Sequence, residues 1–274
     1  MWIRRKEIEQ LSAVVKGYQN GQNIDIRDNK EGIFSILKND IYAFAQSQKE
    51  QLTQAEAERD ILAEYMADIS HQLKTPITSM MIMMDLLEDA EPEKQREFIQ
   101  NIKFSLSKME WLIGALLKMA KLDAKAITFA PQKVKVSELI QEVMPSVEIL
   151  LDINNQSVIL EQDVEICCDK KWTIEALMNI VKNAMEHSPK EGTITIDSGV
   201  NPMYEWIAVT DSGIGLRKEQ YAALFKRFEN STNENGFGIG MPLALSIMKG
   251  QNGDIDVECG GNGKGATFLL KFFK

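Results

Sequence analysis

The feature that most constrains this chain is a heptad. Leu62, Met66, Ile69, Leu73, Pro76, Met80, Met83 and Leu87 follow one another at alternating steps of four and three residues. Steps averaging 3.5 residues keep an apolar seam on one side of an α-helix, and the seam lasts for more than three repeats. Glu91-Pro92-Glu93 then interrupts the helix. A second seam follows at Phe98, Ile102, Ser105, Met109, Leu112, Leu116 and Met119. Two long amphipathic helices joined by a short turn form an αα-hairpin. One hairpin cannot bury both of its seams, so the pattern predicts a second copy and a dimeric four-helix bundle. The run Met80-Met81-Ile82-Met83-Met84 suits adaptable packing better than a ligand box.

The flanking sequence has a different texture on each side. Ahead of the hairpin, Ile8, Leu11, Val14 and Val15 predict a helix ending near Gly17. Residues 21–28 read as extended, and Ile36, Leu37, Ile41 and Phe44 predict a second helix. Polar helix formers at 46–60 read as a connecting coiled coil. After residue 124 come thirteen of the 17 glycines and five of the seven prolines. There Ser137 is expected to cap a helix holding Leu139, Ile140, Val143 and Met144. Asp169 is expected to cap a longer one through Ile174, Leu177, Ile180 and Val181. Strands are expected at 158–160, 164–168, 193–196, 206–210, 255–258 and 267–272. The whole is α plus α/β: a helical hairpin, then a mixed sheet covered by helices on one face.

Charge and cysteine content exclude some functions. Asp and Glu number 40 against 31 Lys and Arg, a net charge of −9. Such a chain does not bind nucleic acid by neutralising phosphates. Three cysteines give no disulfide framework and no metal-ligand spacing. Cys167 and Cys168 would face opposite sides of a strand, and both read as reduced packing residues. No apolar run reaches the roughly 18 residues a membrane span requires. The cluster Arg4-Arg5-Lys6 suits either a solvated helix face or the cytoplasmic end of a span upstream of residue 1.

Chemistry concentrates in a few places. His71 lies in Ser70-His71-Gln72-Leu73-Lys74-Thr75-Pro76. With Ile69 at position d, His71 takes position f, the most outward, as a surface imidazole or a nucleophile. Thr75 shares its face one turn on, and Pro76 should bend the helix. Asn179 and Asn183 lie one turn apart, and amide oxygens suit a hydrated Mg²⁺ bound mainly through phosphates. Asp211-Ser212-Gly213-Ile214-Gly215 follows an apolar strand. A carboxylate there can accept from an exocyclic amine, and the glycines let backbone approach a planar base. Gly236-Phe237-Gly238-Ile239-Gly240-Met241 opens a helix, where free N–H groups can cradle phosphates. Gly263-Lys264-Gly265-Ala266-Thr267-Phe268 turns into the last strand.

The order of these motifs resembles that of the bacterial sensor histidine kinases. Residues 70–76 are similar to the phospho-acceptor box and 179–189 to the N box. Residues 211–215 and 236–241 resemble the two glycine boxes, Leu224-Phe225-Lys226-Arg227-Phe228 the F box, and 263–268 the final glycine motif. The first 47 residues look like a HAMP signalling module. The resemblance implies a HAMP-like segment at 1–47, a dimerisation and phosphotransfer domain at 48–124, and an ATP-binding α/β sandwich of the gyrase and heat-shock type at 125–274. It implies a homodimer that phosphorylates His71 with ATP and Mg²⁺ and passes the phosphoryl group to an Asp of a response regulator. It also implies no nucleic-acid partner and a cytoplasmic portion of a protein anchored in the membrane upstream of residue 1. On this resemblance Asn183 coordinates Mg²⁺ with help from Asn179, and Asp211 meets the adenine amino group in a pocket shaped by Gly213 and Gly215. Gly236, Gly238 and Gly240 hold the phosphates, and Phe228 and Thr267 line the same pocket. His187 is either a nucleotide contact or a buried helix-end histidine. Seven residues between Phe228 and Gly236 imply a short ATP lid at 229–235.

One departure matters. Where the family commonly has an acidic residue after the phospho-acceptor histidine, this chain has Gln72. An amide can hydrogen-bond an imidazole but cannot take its proton. Thr75 matches the position tied in the family to orienting water for phosphatase action. Gln72 and Thr75 together suggest a kinase that is also a phosphatase. The competing readings are a nucleotide-binding scaffold with a weak kinase site and a gyrase-type ATPase clamp.

Overall fold

The computed structural model describes residues 5–19, 24–25, 32–88, 90–228, 237–259 and 265–274. The chain divides into two compact units, Met1–Ser70 and His71–Lys274.

The first unit is helical. Helix α1 (Arg5–Gln19) continues through Gly17 rather than ending there. Most of the segment expected to be extended, 21–28, lies outside the described residues, as does the basic cluster at 4–6 apart from Arg5 and Lys6 as helix backbone. Helix α2 (Ile33–Leu87) runs unbroken for 55 residues. It merges the second expected helix, the polar link and the first seam, and so carries the chain into the second unit. Pro76 sits inside α2, where its missing N–H leaves the Gln72 carbonyl without its helical donor.

In the second unit the break falls where proline puts it. Glu91 is extended, with φ −61° and ψ 150°, and Pro92 opens helix α3 (Pro92–Asp123). Proline suits the first helical position because its fixed φ is already helical and no N–H is needed there. Leu112, Ala115 and Met119 on α3 are buried in one core with the sandwich that follows. The lower half of the second seam is therefore covered by the sandwich, and one core extends across the expected boundary at 124/125.

The sandwich begins with β1 (Gln132–Lys135), which pairs antiparallel with β3 (Glu165–Cys168). Between them lie α4 (Val136–Val143), a 3-10 turn, α5 (Glu148–Asn154) and β2 (Ser157–Leu160). Then come α6 (Lys170–His187), β4 (Thr193–Val200), β5 (Tyr204–Thr210), α7 (Lys218–Leu224), α8 (Gly240–Gly250), β6 (Gly253–Cys259) and β7 (Ala266–Phe273). The main sheet has the order β2-β4-β5-β7-β6. Only the β2–β4 pair is parallel. Ile194, Ile196, Ile207, Val209, Phe268 and Leu270 alternate onto one face and are buried with α6 and α8 residues Leu177, Ile180, Leu243 and Ile247.

Two local expectations are corrected. Ser137 does not cap α4, which already starts at Val136. The cap comes from the β2–β3 loop, where Asp163 Oδ1 accepts from the Ser137 N–H at 2.8 Å. Cys168 is buried, and burial pushes its thiol up to about 11, whereas Cys167 is exposed. The Asp169 expectation holds. It is the α6 N-cap, accepting from Trp172 N–H, and its other oxygen accepts from Ala130 N–H at 2.9 Å.

Candidate functional site

Helix α2 carries the first group of candidate side chains. His71 is exposed, as position f requires, and so is Thr75 one turn on. The Thr75 hydroxyl donates to the His71 carbonyl at 3.3 Å. Gln72 is half-buried beside them. A rigid helix thus holds an imidazole in solvent, with a hydroxyl on the same face.

The second group forms where strands β5 and β7 meet the end of α6. Asp211 follows β5 and is only 5% exposed. Its N–H donates to the Ala266 carbonyl at 3.0 Å, and its Oδ1 accepts from Gly213 N–H at 2.8 Å. Gly265 N–H donates to the Gly213 carbonyl at 2.9 Å. Three backbone segments are stacked here without room for side chains. A Cβ on Gly265 would lie 1.8 Å from the Asp211 carbonyl oxygen, and one on Gly213 would lie 2.3 Å from the His187 carbonyl oxygen. Gly215 adds a left-handed φ of +77°, which a side chain tolerates poorly. The result is a buried carboxylate bracketed by close-packed glycine backbone; a carboxylate can accept from an exocyclic amine, and bare backbone can approach a planar ring.

Helix α8 supplies the third group. Gly238 is left-handed, at φ +65°, and α8 starts at Gly240. A Cβ on Gly240 would sit 2.9 Å from Asn179 Oδ1. Asn179 is buried, and its amide donates to the Glu175 carbonyl at 2.7 Å, so it supports the start of α8 from below. Asn183, one turn along α6, is half-buried. The first-turn N–H groups of α8 have no acceptor within the helix and suit an anion. Phe228 takes a left-handed φ of +62°, unusual for an aromatic residue. Its N–H donates to the Gly238 carbonyl at 3.1 Å. Segment 229–236 between the two, with Gly236 and the expected lid, lies outside the described residues, as do Gly263 and Lys264.

Two expected residues are placed differently. His187 is exposed at the end of α6, which removes the buried alternative. Thr267 is not brought to Asp211. Its hydroxyl pairs with that of Thr210 at 2.9 Å, on the sheet face opposite Phe268 and Val209, because side chains alternate along a strand. Ala266 stands on the Asp211 side instead. Ser212 and Gly265 stand inside the sequence motifs without an assigned role, and the structure gives each a contact here. Ser212 N–H donates to Ser188 Oγ at 3.2 Å, and its own Oγ accepts from Thr193 N–H at 3.1 Å.

The sandwich also meets α3. Trp111 stacks on Phe237 with ring centroids 6.2 Å apart, and Lys108 lies over the same ring at 4.8 Å. Arg227 binds Asp123 through both carboxylate oxygens, at 2.9 and 2.8 Å. Burial draws the Lys108 ammonium below its ordinary pKa.

Comparison with known proteins agrees with this arrangement. The family model of the His Kinase A (phospho-acceptor) domain matches residues 61–125. The model described as histidine kinase-, DNA gyrase B-, and HSP90-like ATPase matches residues 168–274. Sporulation kinase C of Bacillus subtilis is 28% identical over 91% of this chain and 56% of its own length. Heme sensor protein HssS of Staphylococcus saprophyticus is 24% identical over 98% of this chain and 58% of its own. The chain thus spans somewhat over half the length of these two relatives. A solved structure of histidine kinase ThkA in complex with response regulator protein TrrA superposes with a TM-score of 0.63 at 19% identity, covering 97% of this chain and 83% of that one; at this identity the likeness is one of fold. Among the described residues no helix is long and apolar enough to cross a membrane. With a phospho-acceptor domain followed by an ATPase domain of this type, the chain belongs to the sensor histidine kinases.

Proposed function

We propose that the chain is the signalling portion of a two-component sensor histidine kinase, which phosphorylates its own His71 from ATP and passes the phosphoryl group to an aspartate of a response regulator. The observation that carries the reading is an exposed imidazole on a helix in the same chain as a buried carboxylate set among close-packed glycines. Asp211 would accept from the adenine amine, Gly213 and Gly215 would lie against the ring, and His187 would reach the nucleotide from the rim. Phe228 and Gly238 would hold the base of the lid, while Gly236, Gly238 and Gly240 would present backbone to the phosphates. Thr267, turned to the other face, is left out of the pocket.

The donor set fits Mg²⁺. The ion would be held by the Asn183 amide oxygen together with the phosphates. It would supply charge neutralisation on the phosphates. Asn179 would support Asn183 and α8 rather than ligate. His71 would attack the γ-phosphorus with a nitrogen lone pair: the N–P bond forms, the bond to the bridging oxygen breaks, and ADP leaves with the electron pair. The proton on the other ring nitrogen goes to solvent, since Gln72 cannot take it. Positioning and charge neutralisation carry such a transfer.

Two hairpins would pair as a homodimer. Thr75, on the His71 face, would orient water for hydrolysis of the regulator's acyl phosphate. Attachment to a membrane upstream of residue 1 belongs to the same proposal, and fractionation of cells carrying the native gene product tests it. The main test is incubation with γ-labelled ATP. Acid-labile, base-stable label on the wild type and none on His71→Ala supports the reading. Nucleotide binding without label would leave the scaffold reading suggested by Gln72. ATP hydrolysis without label would favour the ATPase clamp.

A further inference from the structure

Gln156 is 9% exposed, just past α5, far in sequence from every motif above. Its Nε2 donates to three carbonyls: Met185 at 3.0 Å, Ser188 at 3.2 Å and Pro189 at 3.1 Å. The reason lies in the sequence of α6. The Met185 carbonyl would ordinarily accept from the N–H four residues on, and that residue is Pro189, which has none. The Gln156 amide supplies the missing donor and fastens the turn that follows. Its orientation is fixed, because all three partners are acceptors; turned over, Oε1 would face three carbonyl oxygens. Held this way, Oε1 is buried without a donor, alone among the described side-chain atoms. A buried acceptor left unpaired is destabilising, so stability alone does not explain this residue.

The other side of the same turn touches the segment that follows Asp211. Ser188 Oγ accepts from Ser212 N–H. The His187 carbonyl lies against Gly213, and Gly192 lies against Ser212 Oγ. Gly213 N–H is in turn the donor to Asp211 Oδ1. A continuous set of contacts thus runs from Gln156 through the 185–189 turn to the Asp211 carboxylate. Asn183 stands two residues before Met185 on the same helix.

We propose that Gln156 is a positioning residue for nucleotide binding: by replacing the donor that Pro189 lacks, it sets the end of α6 so that Asp211 and Asn183 meet one nucleotide. The inference rests on the nucleotide reading above and names a residue that reading does not contain. Removing the donor lets the turn shift, and a fraction of an ångström at a hydrogen-bonded carboxylate is enough to weaken recognition.

The test uses Gln156→Met in the full chain. Methionine keeps the volume and removes both the unpaired acceptor and the donor to the three carbonyls, two opposing effects on stability, so thermal unfolding without nucleotide is measured alongside to show that the variant is folded at the assay temperature. Mg·ATP affinity, measured by titration calorimetry, falls by about tenfold, the scale seen when a supporting hydrogen bond behind a ligand contact is lost. The KM for ATP in the labelling assay rises with it while the rate at saturation changes less. A second variant, Gln156→Glu, keeps the shape and loses both donors when ionised. Its affinity should recover as pH is lowered and the carboxyl regains a proton to donate, over a range where the wild type changes little. If Gln156→Met binds nucleotide within twofold of wild type, or Gln156→Glu shows no recovery at low pH, the proposal is overturned. A wild-type chain that binds no nucleotide overturns the underlying reading instead, a different outcome from a variant that binds equally well.

Discussion

The hairpin and the sandwich dispose of their apolar residues in opposite ways. In the sandwich the alternating residues of β4, β5 and β7 are buried against α6 and α8, and Phe268, Ile194, Ile207 and Leu243 are fully inaccessible. Around the hairpin turn, Ile77, Met81 and Met84 on α2, and Ile99, Leu106, Ile113 and Leu117 on α3, are exposed. Their spacings of four, three and seven residues put them in stripes beside the two seams. The core between the main sheet and α6 and α8 is closed within one copy. The hairpin is not, and an apolar area of this extent marks an interaction surface. A core can be legible as finished or unfinished from exposure alone.

The largest effect that distinguishes the two regions is expected in the sandwich. Phe268→Ala leaves a cavity among residues with no access to water and should cost about 3–5 kcal/mol, read as a lower urea midpoint of the unfolding transition that includes Trp206 and Trp172. Hairpin association should be unaffected in the remaining folded fraction. An equal loss from Met81→Ala would break the contrast.

Ile113→Ala acts on the other region. It should leave the urea midpoint near that of wild type and weaken self-association by about 2 kcal/mol, roughly thirtyfold in the dimer dissociation constant. Sedimentation equilibrium checks it. A dissociation constant that does not move would show that the exposed stripe on α3 is not the covered face.

Much of this contrast was readable in advance, and the failures have physical causes. Both seams, the break at Pro92 and the Asp169 cap were legible because each is fixed by residues close in sequence. The foot of the second seam was not. Leu112 and Met119 satisfy the heptad, yet what covers them is the sandwich, and spacing says which face is apolar without saying what lies on it. Ser137 was misread as a cap because its donor's partner, Asp163, is 26 residues away. Thr267 was misplaced because a one-residue shift along a strand reverses the face, and only the pairing of Thr210 with Thr267 decides which side it takes. The glycine motifs marked the segments around Asp211, Gly213 and Gly265 that the structure brings together, though not which of them meet. Gln156 carried no signal at all; its role arises from a proline 33 residues away.

Asp169 sharpens the comparison at the seam between the regions. It caps α6 and also holds Ala130, in the segment that joins α3 to the sandwich, and its own N–H donates to Gln251 Oε1 at 2.7 Å. Asp169→Ala removes a helix cap and strands a backbone donor, at a cost of about 1.5 kcal/mol. The urea midpoint should fall by less than for Phe268→Ala. Limited proteolysis should cut near residues 124–131 sooner than in wild type, and a digestion pattern identical to wild type would mean that Asp169 holds only the helix.

The smallest expected effect belongs to Asp163 and concerns pH. The Ser137 backbone N–H bonded to its carboxylate holds it below its ordinary value of 3.8. A carboxylate whose pKa is lower folded than unfolded stabilises the fold above the unfolded value, and the stabilisation is lost as pH falls through the folded one. Asp163 is nearly exposed, so solvent and salt screen the effect. Asp163→Asn keeps an oxygen for Ser137 and has no proton to gain. The variant should match the wild type closely at pH 7 and lose less stability than it between pH 4 and pH 2, in urea unfolding series at low salt. The sandwich contains this loop and the hairpin turn does not. The difference should therefore appear in unfolding of the sandwich and leave the dimer dissociation constant unchanged, and parallel acid slopes for both proteins would show that the distant cap adds nothing to the fold.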